Sequence, residues 1–150
     1  MAYWLMKSEP TTFSITALQS APKQTTHWEG VRNYQARNLM RDDMRQGDLA
    51  FFYHSNCDIP GIVGIVKITR EAYPDDSAYD PNSHYYDPKS TPENPRWFMV
   101  DITLVEIFDR IIPLSDLKQN EKLKDWALLR KGNRLSVLPV SDEEWQEALK

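Results

Sequence analysis

Several features that mark common classes of protein are scarce or missing in this sequence. A single cysteine, Cys57, rules out an internal disulfide and is typical of a reducing compartment. No apolar run approaches the roughly 18–20 residues that span a bilayer. The N-terminus also lacks the basic region and cleavage site of a signal peptide. We therefore expect a cytoplasmic protein that does not contact a membrane.

The usual signatures of enzymes are missing as well. The sequence has no Walker motif, no G-x-S-x-G elbow and no convincing set of catalytic carboxylates. Gly61-Ile62-Val63-Gly64 departs from the dinucleotide-binding G-x-G-x-x-G and lies in a strand pattern, where its glycines indicate a bulge or a close backbone approach. His54 and Cys57 have the spacing of two metal ligands, but one cysteine and three histidines are too few for a structural zinc site. The sequence thus predicts a protein without catalytic activity, metal or cofactor.

An excess of positive charge is also absent, since the formal net charge is −4. This argues against strong non-specific binding to DNA, which depends on many contacts from Lys and Arg to phosphate. The charge is unevenly spread, however. Acidic side chains concentrate in residues 71–88, whereas Arg37, Arg41 and Arg45 follow one another at helical spacing. Such a distribution is compatible with contact to a nucleic acid at one local site, although the arginine row is also typical of a solvated helix face.

The length of 150 residues suits one domain with a buried core, spanning residues 1–150. Strand patterns cover residues 3–7, 49–54, 61–72, 96–112 and 135–140. Short helical patterns occupy residues 15–20, 33–47, parts of 114–129, and the C-terminal segment from Ser141. Because long helices do not separate most strands, we predict an α+β fold with a mixed or antiparallel, barrel-like sheet and helices at its rim. We expect residues 73–95 to form a long ordered loop or insertion.

What the sequence does contain is an unusual segment, Trp28-Glu29-Gly30-Val31-Arg32-Asn33-Tyr34-Gln35-Ala36-Arg37-Asn38. Aromatic faces beside planar hydrogen-bonding groups are what a protein needs to hold a nucleobase, and stacking contributes about 1–3 kcal/mol per base. Core packing is the alternative for Trp28 and Tyr34. The polar side chains of Arg32 and Asn33 between them favour a binding site, because they would be costly to bury without partners.

Further motifs accompany this segment in a fixed order. They are Lys7-Ser8-Glu9-Pro10, Phe51-Phe52-Tyr53-His54-Ser55-Asn56, Tyr86-Asp87-Pro88-Lys89-Ser90, Pro95-Arg96-Trp97 and Gly132-Asn133-Arg134-Leu135-Ser136-Val137-Leu138-Pro139-Val140. With these motifs the chain closely resembles the EVE domain family over essentially its whole length. The resemblance implies a PUA-like fold, a small curved β-barrel with short helices around it, in a bacterial protein. It also implies a non-catalytic module that reads a modified base, either 5-methylcytosine or an oxidised derivative in DNA, or a modified base in RNA, with DNA favoured.

The resemblance further implies which side chains form the site. The base-binding pocket would comprise Trp28, Val31, Arg32, Asn33, Tyr34, Ser55, Asn56, Leu135 and Ser136. The pocket mouth, or contacts to the nucleic-acid backbone, would comprise Lys7, Ser8, Glu9, Arg37, Lys89 and Arg134. Trp28 or Tyr34 would stack on the base, and Val31 would contact its apolar edge. Glu29 stands where family members often have aspartate, a departure that we expect to matter little.

Two other functions stay open at this point. One is an enzyme that acts on a nucleotide or a modified RNA base, with His54, Asp87 or Lys89 in proton transfer. The other is an interaction module that uses the acidic 73–95 loop to bind a protein partner.

Overall fold

Six β-strands form one mixed sheet in the computed structural model, which describes residues 2–130 and 135–150. The strands are β1 (Tyr3–Ser8), β2 (Thr25–His27), β3 (Leu49–His54), β4 (Gly61–Pro74), β5 (Phe98–Pro113) and β6 (Val137–Val140). Their order is β2-β5-β4-β3-β1-β6; β1 and β3 pair in parallel, and the other neighbours are antiparallel. The predicted α+β fold with a mostly antiparallel sheet is confirmed. Over the described residues the sheet stays open, with β2 and β6 at its two edges.

The curvature of the sheet arises in its two longest strands, β4 and β5. Their pairing shifts register at four places, including the step between Ile62 and Gly64. Each shift bends the strand and increases its twist, which wraps the sheet toward a barrel. At Gly64 an added Cβ would stand 2.3 Å from the carbonyl oxygen of Glu106, so glycine allows the two backbones to approach at the bend.

The helices are short and lie around the sheet. They are α1 (Ile15–Ser20), α2 (Tyr34–Asn38), α3 (Leu114–Gln119) and α4 (Asp142–Ala148). Single 3₁₀ turns occur at Pro22–Gln24, Asp76–Tyr79, Glu121–Leu123 and Ala127–Leu129, and a π-helical turn at Leu39–Asp43 follows α2. The helix predicted to run to Gly47 therefore ends earlier. In the described part of the chain, no helix combines the length and apolarity that crossing a bilayer requires.

The early end of that helix has a local cause. Asp48 is buried, and its carboxylate accepts hydrogen bonds from the indole N–H of Trp4 and the backbone N–H of Arg45, both at 3.0 Å. Gly47, with φ at 98°, turns the chain into β3. These bonds hold residues 45–48 in a turn, and the helical backbone cannot continue through it.

Side chains alternate between the two sides of the sheet, and two hydrophobic clusters form on them. One cluster contains Trp4, Met6, Phe52 and Trp28 and is covered by α1 and α2; we call this side the cavity face. The other is covered by α3 and α4 and is called the opposite face. Its buried side chains are Leu5, Phe51, Tyr53, Ile62, Ile65, Leu117, Leu123, Trp126, Leu128, Leu138, Val140, Trp145 and Ala148.

Candidate functional site

A cavity of about 560 Å³ opens on the cavity face at the ends of β1 and β3. Parallel pairing of these strands places Ser8 beside His54, and the backbone N–H of Ser55 donates to the carbonyl of Ser8 at 3.0 Å. The lining residues are Lys7, Ser8, Glu9, Thr12, Phe13, Thr26, His27, Trp28, Glu29, Gly30, Val31, Arg32, Ser55, His84, Tyr85 and Ser136. Its volume lies within the range of small-molecule pockets.

The apolar wall of the cavity is formed by Trp28 and Val31, whose exposed fractions are 8% and 4%. The indole of Trp28 meets the ring of Phe52 edge-on, with the centroids 5.6 Å apart. Its backbone N–H donates to Val100 at 2.7 Å. Its indole N–H has no hydrogen-bond partner within residues 2–130 and 135–150. Trp28 therefore belongs to the core on one side and borders the cavity on the other.

Arg32 holds two parts of the cavity wall together. The guanidinium contacts the Oδ2 of the fully buried Asp75 at 3.2 Å, and it donates twice to the carbonyl of Tyr85, at 2.7 and 3.2 Å. It also donates to the Val31 carbonyl at 3.0 Å and to the Ser77 hydroxyl at 3.4 Å. An arginine has five N–H donors, so this set commits all of them. Arg32 thus positions the wall and has no donor left for a ligand.

Gly30 allows the Tyr85 ring to pack against the chain. Gly30 has φ at 84°, and a Cβ added there would stand 2.5 Å from Cζ of Tyr85. Its backbone N–H donates to Asp75 at 2.9 Å. The loop that carries Tyr85 is therefore fixed against the Trp28–Arg32 segment, which explains how a residue so distant in sequence comes to line the same cavity.

The polar lining includes a cation without a counter-charge. Lys7 is half-buried, and burial lowers the pKa of its ammonium group. Its Nζ lies 5.9 Å from the centroid of the Tyr53 ring, and no carboxylate oxygen in the described part of the chain lies within ion-pair distance of it. Ser55 and Ser136 add hydroxyl groups to the same cavity. A ligand with hydrogen-bond acceptors would find donors in these hydroxyls, whereas the Lys7 ammonium lies over Tyr53, a side chain of the opposite-face cluster.

Glu9 is the acceptor at the cavity mouth. Its Oε1 accepts a hydrogen bond from the side-chain amide of Asn56 at 3.1 Å, and Asn56 has the left-handed φ of 52° that asparagine tolerates. Asn56 does not line the cavity itself. The neighbouring Ser8 hydroxyl donates to the Phe13 carbonyl at 2.6 Å and fixes the loop after β1.

Some residues predicted for the site lie elsewhere. Asn33 caps α2 by accepting from the Ala36 N–H at 3.0 Å, and Tyr34 stacks on Trp97 with centroids 4.7 Å apart. The Arg37 guanidinium lies 4.7 Å from the Tyr34 centroid and donates to the carbonyl of Arg96. The reason is that α2 begins at Tyr34 and carries the chain away from the cavity.

Two further predicted residues, Leu135 and Lys89, are also not among those lining the cavity. Leu135 is half-buried and packs against both hydrophobic clusters. Lys89 is exposed, and its backbone N–H donates to Asp87 at 3.0 Å. Arg134 lies outside the described residues. Eight of the predicted residues do line the cavity: Lys7, Ser8, Glu9, Trp28, Val31, Arg32, Ser55 and Ser136.

The lining residues that the sequence prediction missed come mainly from two loops. Thr12 and Phe13 follow β1, His84 and Tyr85 lie in the 73–95 loop, and Thr26 and His27 belong to the short strand β2. In the sequence, Gly30 was a weak indication that another residue comes close to this part of the chain. A glycine before a bulky segment indicates a close approach but does not reveal what approaches.

The groups suggested for proton transfer serve other purposes. His54 Nε2 accepts a hydrogen bond from the Ile15 N–H at 3.1 Å at the start of α1, and burial lowers the pKa of its imidazole. Asp87 accepts a hydrogen bond from the Trp97 indole N–H at 2.7 Å. This bond and a second one from the Lys89 backbone N–H lower the pKa of the Asp87 carboxyl. Neither His54 nor Asp87 lines the cavity of Trp28. The acidic 73–95 loop is likewise partly internal, since Asp75 is buried against Arg32.

The fold and the site define a small α+β domain in which a tryptophan and polar groups border an open cavity. The chain belongs to the EVE domain family, whose model matches residues 2–150. It is 46% identical to human thymocyte nuclear protein 1 over 99% of this chain and 72% of that protein.

Solved structures show the same similarity. A crystal structure of a Pseudomonas syringae protein has 53% identity and a TM-score of 0.94, covering 99% of this chain and 97% of that one. The human THYN1 protein, solved in complex with DNA containing 5-methylcytosine, has 46% identity and a TM-score of 0.94, covering 99% and 96% of the two chains.

Proposed function

We propose that this protein is a non-catalytic reader of DNA that carries 5-methylcytosine or an oxidised derivative, and that the modified base occupies the cavity between Trp28 and Lys7. The observation that carries the proposal is the cavity itself, in which an apolar wall of Trp28 and Val31 lies beside polar side chains such as Glu9 and Ser55. The complex of the human relative with 5-methylcytosine-containing DNA supports the choice of ligand.

The apolar wall suits the ring and the 5-methyl group. Of the two aromatic residues first considered for stacking, Trp28 borders the cavity, whereas Tyr34 stacks on Trp97 outside it. We therefore assign the contact with the base to Trp28 and the contact with the methyl group to Val31. An added methyl group in a fitted pocket gains about 1–3 kcal/mol over the unmodified base, so methylation alone gives limited selectivity.

The polar groups suit the Watson–Crick edge of cytosine. The exocyclic amine of cytosine donates hydrogen bonds and pairs well with a carboxylate, which Glu9 supplies at the cavity mouth. Lys7 and the hydroxyls of Ser55 and Ser136 are donors for the ring nitrogen and the carbonyl oxygen. Another base would leave some of these groups buried without partners, and this penalty discriminates more strongly than the methyl contact.

Charge and geometry together limit the affinity. A base inside a duplex must be flipped out to enter such a cavity, at a cost of a few kcal/mol. The net charge of −4 means that few phosphate contacts offset this cost. We expect single-stranded DNA to bind more tightly than duplex DNA of the same sequence, and the salt dependence to be shallow.

Substitution of Trp28 tests the proposal. Titration of a single-stranded oligonucleotide with one 5-methylcytosine, followed by intrinsic tryptophan fluorescence, should show binding that Trp28→Ala weakens by about tenfold or more, since stacking contributes about 1–3 kcal/mol. Trp28→Phe retains a ring in the core and should lose less. Leu149→Ala, which removes an exposed side chain next to α4, is the control and should bind as the unaltered protein does.

Because Trp28 is also part of the core, the free energy of unfolding of each variant is measured by urea denaturation, and binding is compared only where the variant is folded. Equal, negligible binding of methylated and unmethylated oligonucleotides would refute the proposal, as would undiminished binding by folded Trp28→Ala. Tighter binding to an RNA of the same sequence and modification would show that the ligand is RNA and not DNA.

A further inference from the structure

A second cavity lies directly beside the first. Its volume is about 470 Å³, and Gly30 and Tyr85 line both cavities. The far side of the second cavity is formed by residues that do not line the first, among them Tyr86 and Trp97. Since the two cavities share a wall, a polymer whose base fills the first passes the opening of the second.

In the second cavity the exposed ring of Tyr86 lies beside Trp97, which a hydrogen bond holds in place. Tyr86 has 43% of its surface exposed, whereas Trp97 at its side is 5% exposed. The indole N–H of Trp97 donates to Asp87 at 2.7 Å, and Asp87 also accepts from the backbone N–H of Lys89 at 3.0 Å. An exposed aromatic ring beside a rigid aromatic wall is the arrangement on which single-stranded nucleic acids stack, and it tolerates any base.

Cationic side chains continue outward from this cavity. Tyr34 stacks on Trp97, and the Arg37 guanidinium lies 4.7 Å from the Tyr34 centroid. The Arg41 guanidinium lies 5.9 Å from the ring of Phe98, the residue after Trp97. Arg37 has no carboxylate within ion-pair distance in residues 2–130 and 135–150. A phosphate group next to a nucleotide in the second cavity would therefore meet the charge of Arg37, whereas Arg41 is paired with the carboxylate of Asp42 at 2.8 Å.

We propose that the second cavity binds the nucleotide adjacent to the modified base, with the base of that neighbour stacked on Tyr86. This inference rests on the proposed function and adds a second subsite to it. The protein then reads two consecutive nucleotides, one by its Watson–Crick edge and one by its aromatic face. Recognition of the neighbour is independent of its sequence, because every base has a face that stacks.

A double-mutant cycle between protein and DNA tests the second subsite. Short single-stranded oligonucleotides carry one 5-methylcytosine, with an intact base or an abasic site next to it, on the 5′ side in one series and the 3′ side in the other. Isothermal titration calorimetry measures their affinity for the unaltered protein and for Tyr86→Ala. The unaltered protein should lose about tenfold in affinity when the neighbour on one side is abasic. Tyr86→Ala should no longer distinguish the two oligonucleotides.

Conservative replacement separates stacking from a structural effect. Tyr86→Phe and Tyr86→Trp should both restore the preference for an intact neighbour, and Val105→Ala, at an exposed position on β5, should behave as the unaltered protein. The loss of affinity caused by an abasic neighbour is compared between Tyr86→Ala and the unaltered protein, for the 5′ and the 3′ side. If the two proteins show the same loss on both sides, the second subsite is refuted and the proposed function stands. If the unaltered protein fails to bind free 5-methyl-2′-deoxycytidine and all of these oligonucleotides, the proposed function fails and this inference with it.

Discussion

The two faces of the sheet use the same kinds of residue for different purposes. On the cavity face, Trp28 touches Phe52 edge-on and borders a cavity of about 560 Å³. On the opposite face, Trp145 lies between the rings of Tyr3 and Phe51, with centroid distances of 4.3 and 4.0 Å. Both tryptophans are more than nine-tenths buried. Burial alone therefore does not separate a residue that lines the cavity from one that only packs in the core.

What separates the faces is how they are covered, since a cavity opens on one of them and two helices close the other. On the cavity face the indole N–H of Trp28 has no acceptor in the described part of the chain, whereas the Lys7 ammonium lies over Tyr53, a side chain of the opposite-face cluster. At the same face, Arg32 and Asp75 satisfy each other and fix the Tyr85 loop. The opposite face is closed by α3 and α4 and consists mostly of apolar side chains. We infer that both faces stabilise the fold and that the cavity face also carries the proposed binding site.

The largest expected effect concerns stability on the opposite face. Trp126 is 1% exposed there, and Trp126→Ala should lower the free energy of unfolding by about 3–5 kcal/mol, because it opens a large cavity in the core. Urea denaturation measures this loss. Trp126→Phe should cost much less, since the buried indole N–H has no partner among the described residues. Folded Trp126→Ala should bind methylated DNA normally; a tenfold loss of affinity would contradict the separation of the faces.

A smaller effect is expected from two glycines, Gly30 at the cavity and Gly47 in the turn before β3. Gly30 and Gly47 both have left-handed φ, at 84° and 98°, so alanine should cost about 1–2 kcal/mol at each through backbone strain. Nothing lies within 4 Å of a Cβ at Gly47, whereas a Cβ at Gly30 would meet the Tyr85 ring. Gly30→Ala should therefore destabilise the protein more than Gly47→Ala and should also weaken DNA binding.

Chemical denaturation and oligonucleotide titration of both glycine variants measure these differences. Combining Gly30→Ala with Tyr85→Ala should remove the excess destabilisation, because the clash is then absent. Equal losses of stability in Gly30→Ala and Gly47→Ala would show that Tyr85 does not press on this position.

The smallest expected effect is a dependence of stability on pH that arises at His54. Burial lowers the pKa of His54 below its ordinary value of 6.5, and its neutral Nε2 accepts from the Ile15 N–H. Below about pH 6.5 the unfolded chain therefore binds a proton more readily than the folded chain, and this contribution to stability is lost as the pH falls. Because His54 is half-buried, we expect less than about 1 kcal/mol.

Denaturation curves at a series of pH values between about 5 and 8 measure the slope. His54→Gln retains an acceptor and does not titrate, so its stability should change less with pH over the same range. Identical slopes for the two proteins would show that His54 does not contribute.

Sequence patterns predicted most of the elements but only part of the site. The strand at Leu49–His54, the helix over residues 15–20 and the C-terminal helix after Ser141 all follow from local patterns, and the structure contains each of them. Strand β2 was missed, since three residues are too few for a periodicity to show.

The residues of the site were likewise predicted only in part. Trp28, Val31 and Ser55 belong to motifs that could be recognised, and they line the cavity. Tyr34 belongs to the same motif and lies outside, because the helix that starts there turns its ring toward Trp97. Sequence proximity to a site is therefore a weak guide to which side chain borders it.

The sequence by itself determined the class of fold, the membership of the family and the segment around which the site is built, because hydrophobic period, capping residues and motif order are local properties of the chain. Only the tertiary structure decided that Arg32 is fully occupied by Asp75 and Tyr85, that Tyr85 closes the cavity against Gly30, and that a second cavity lies beside it. These depend on contacts between residues about 40–55 positions apart, such as Arg32 with Asp75 and Gly30 with Tyr85. No periodicity records such contacts, since they form only when the sheet brings the loops together.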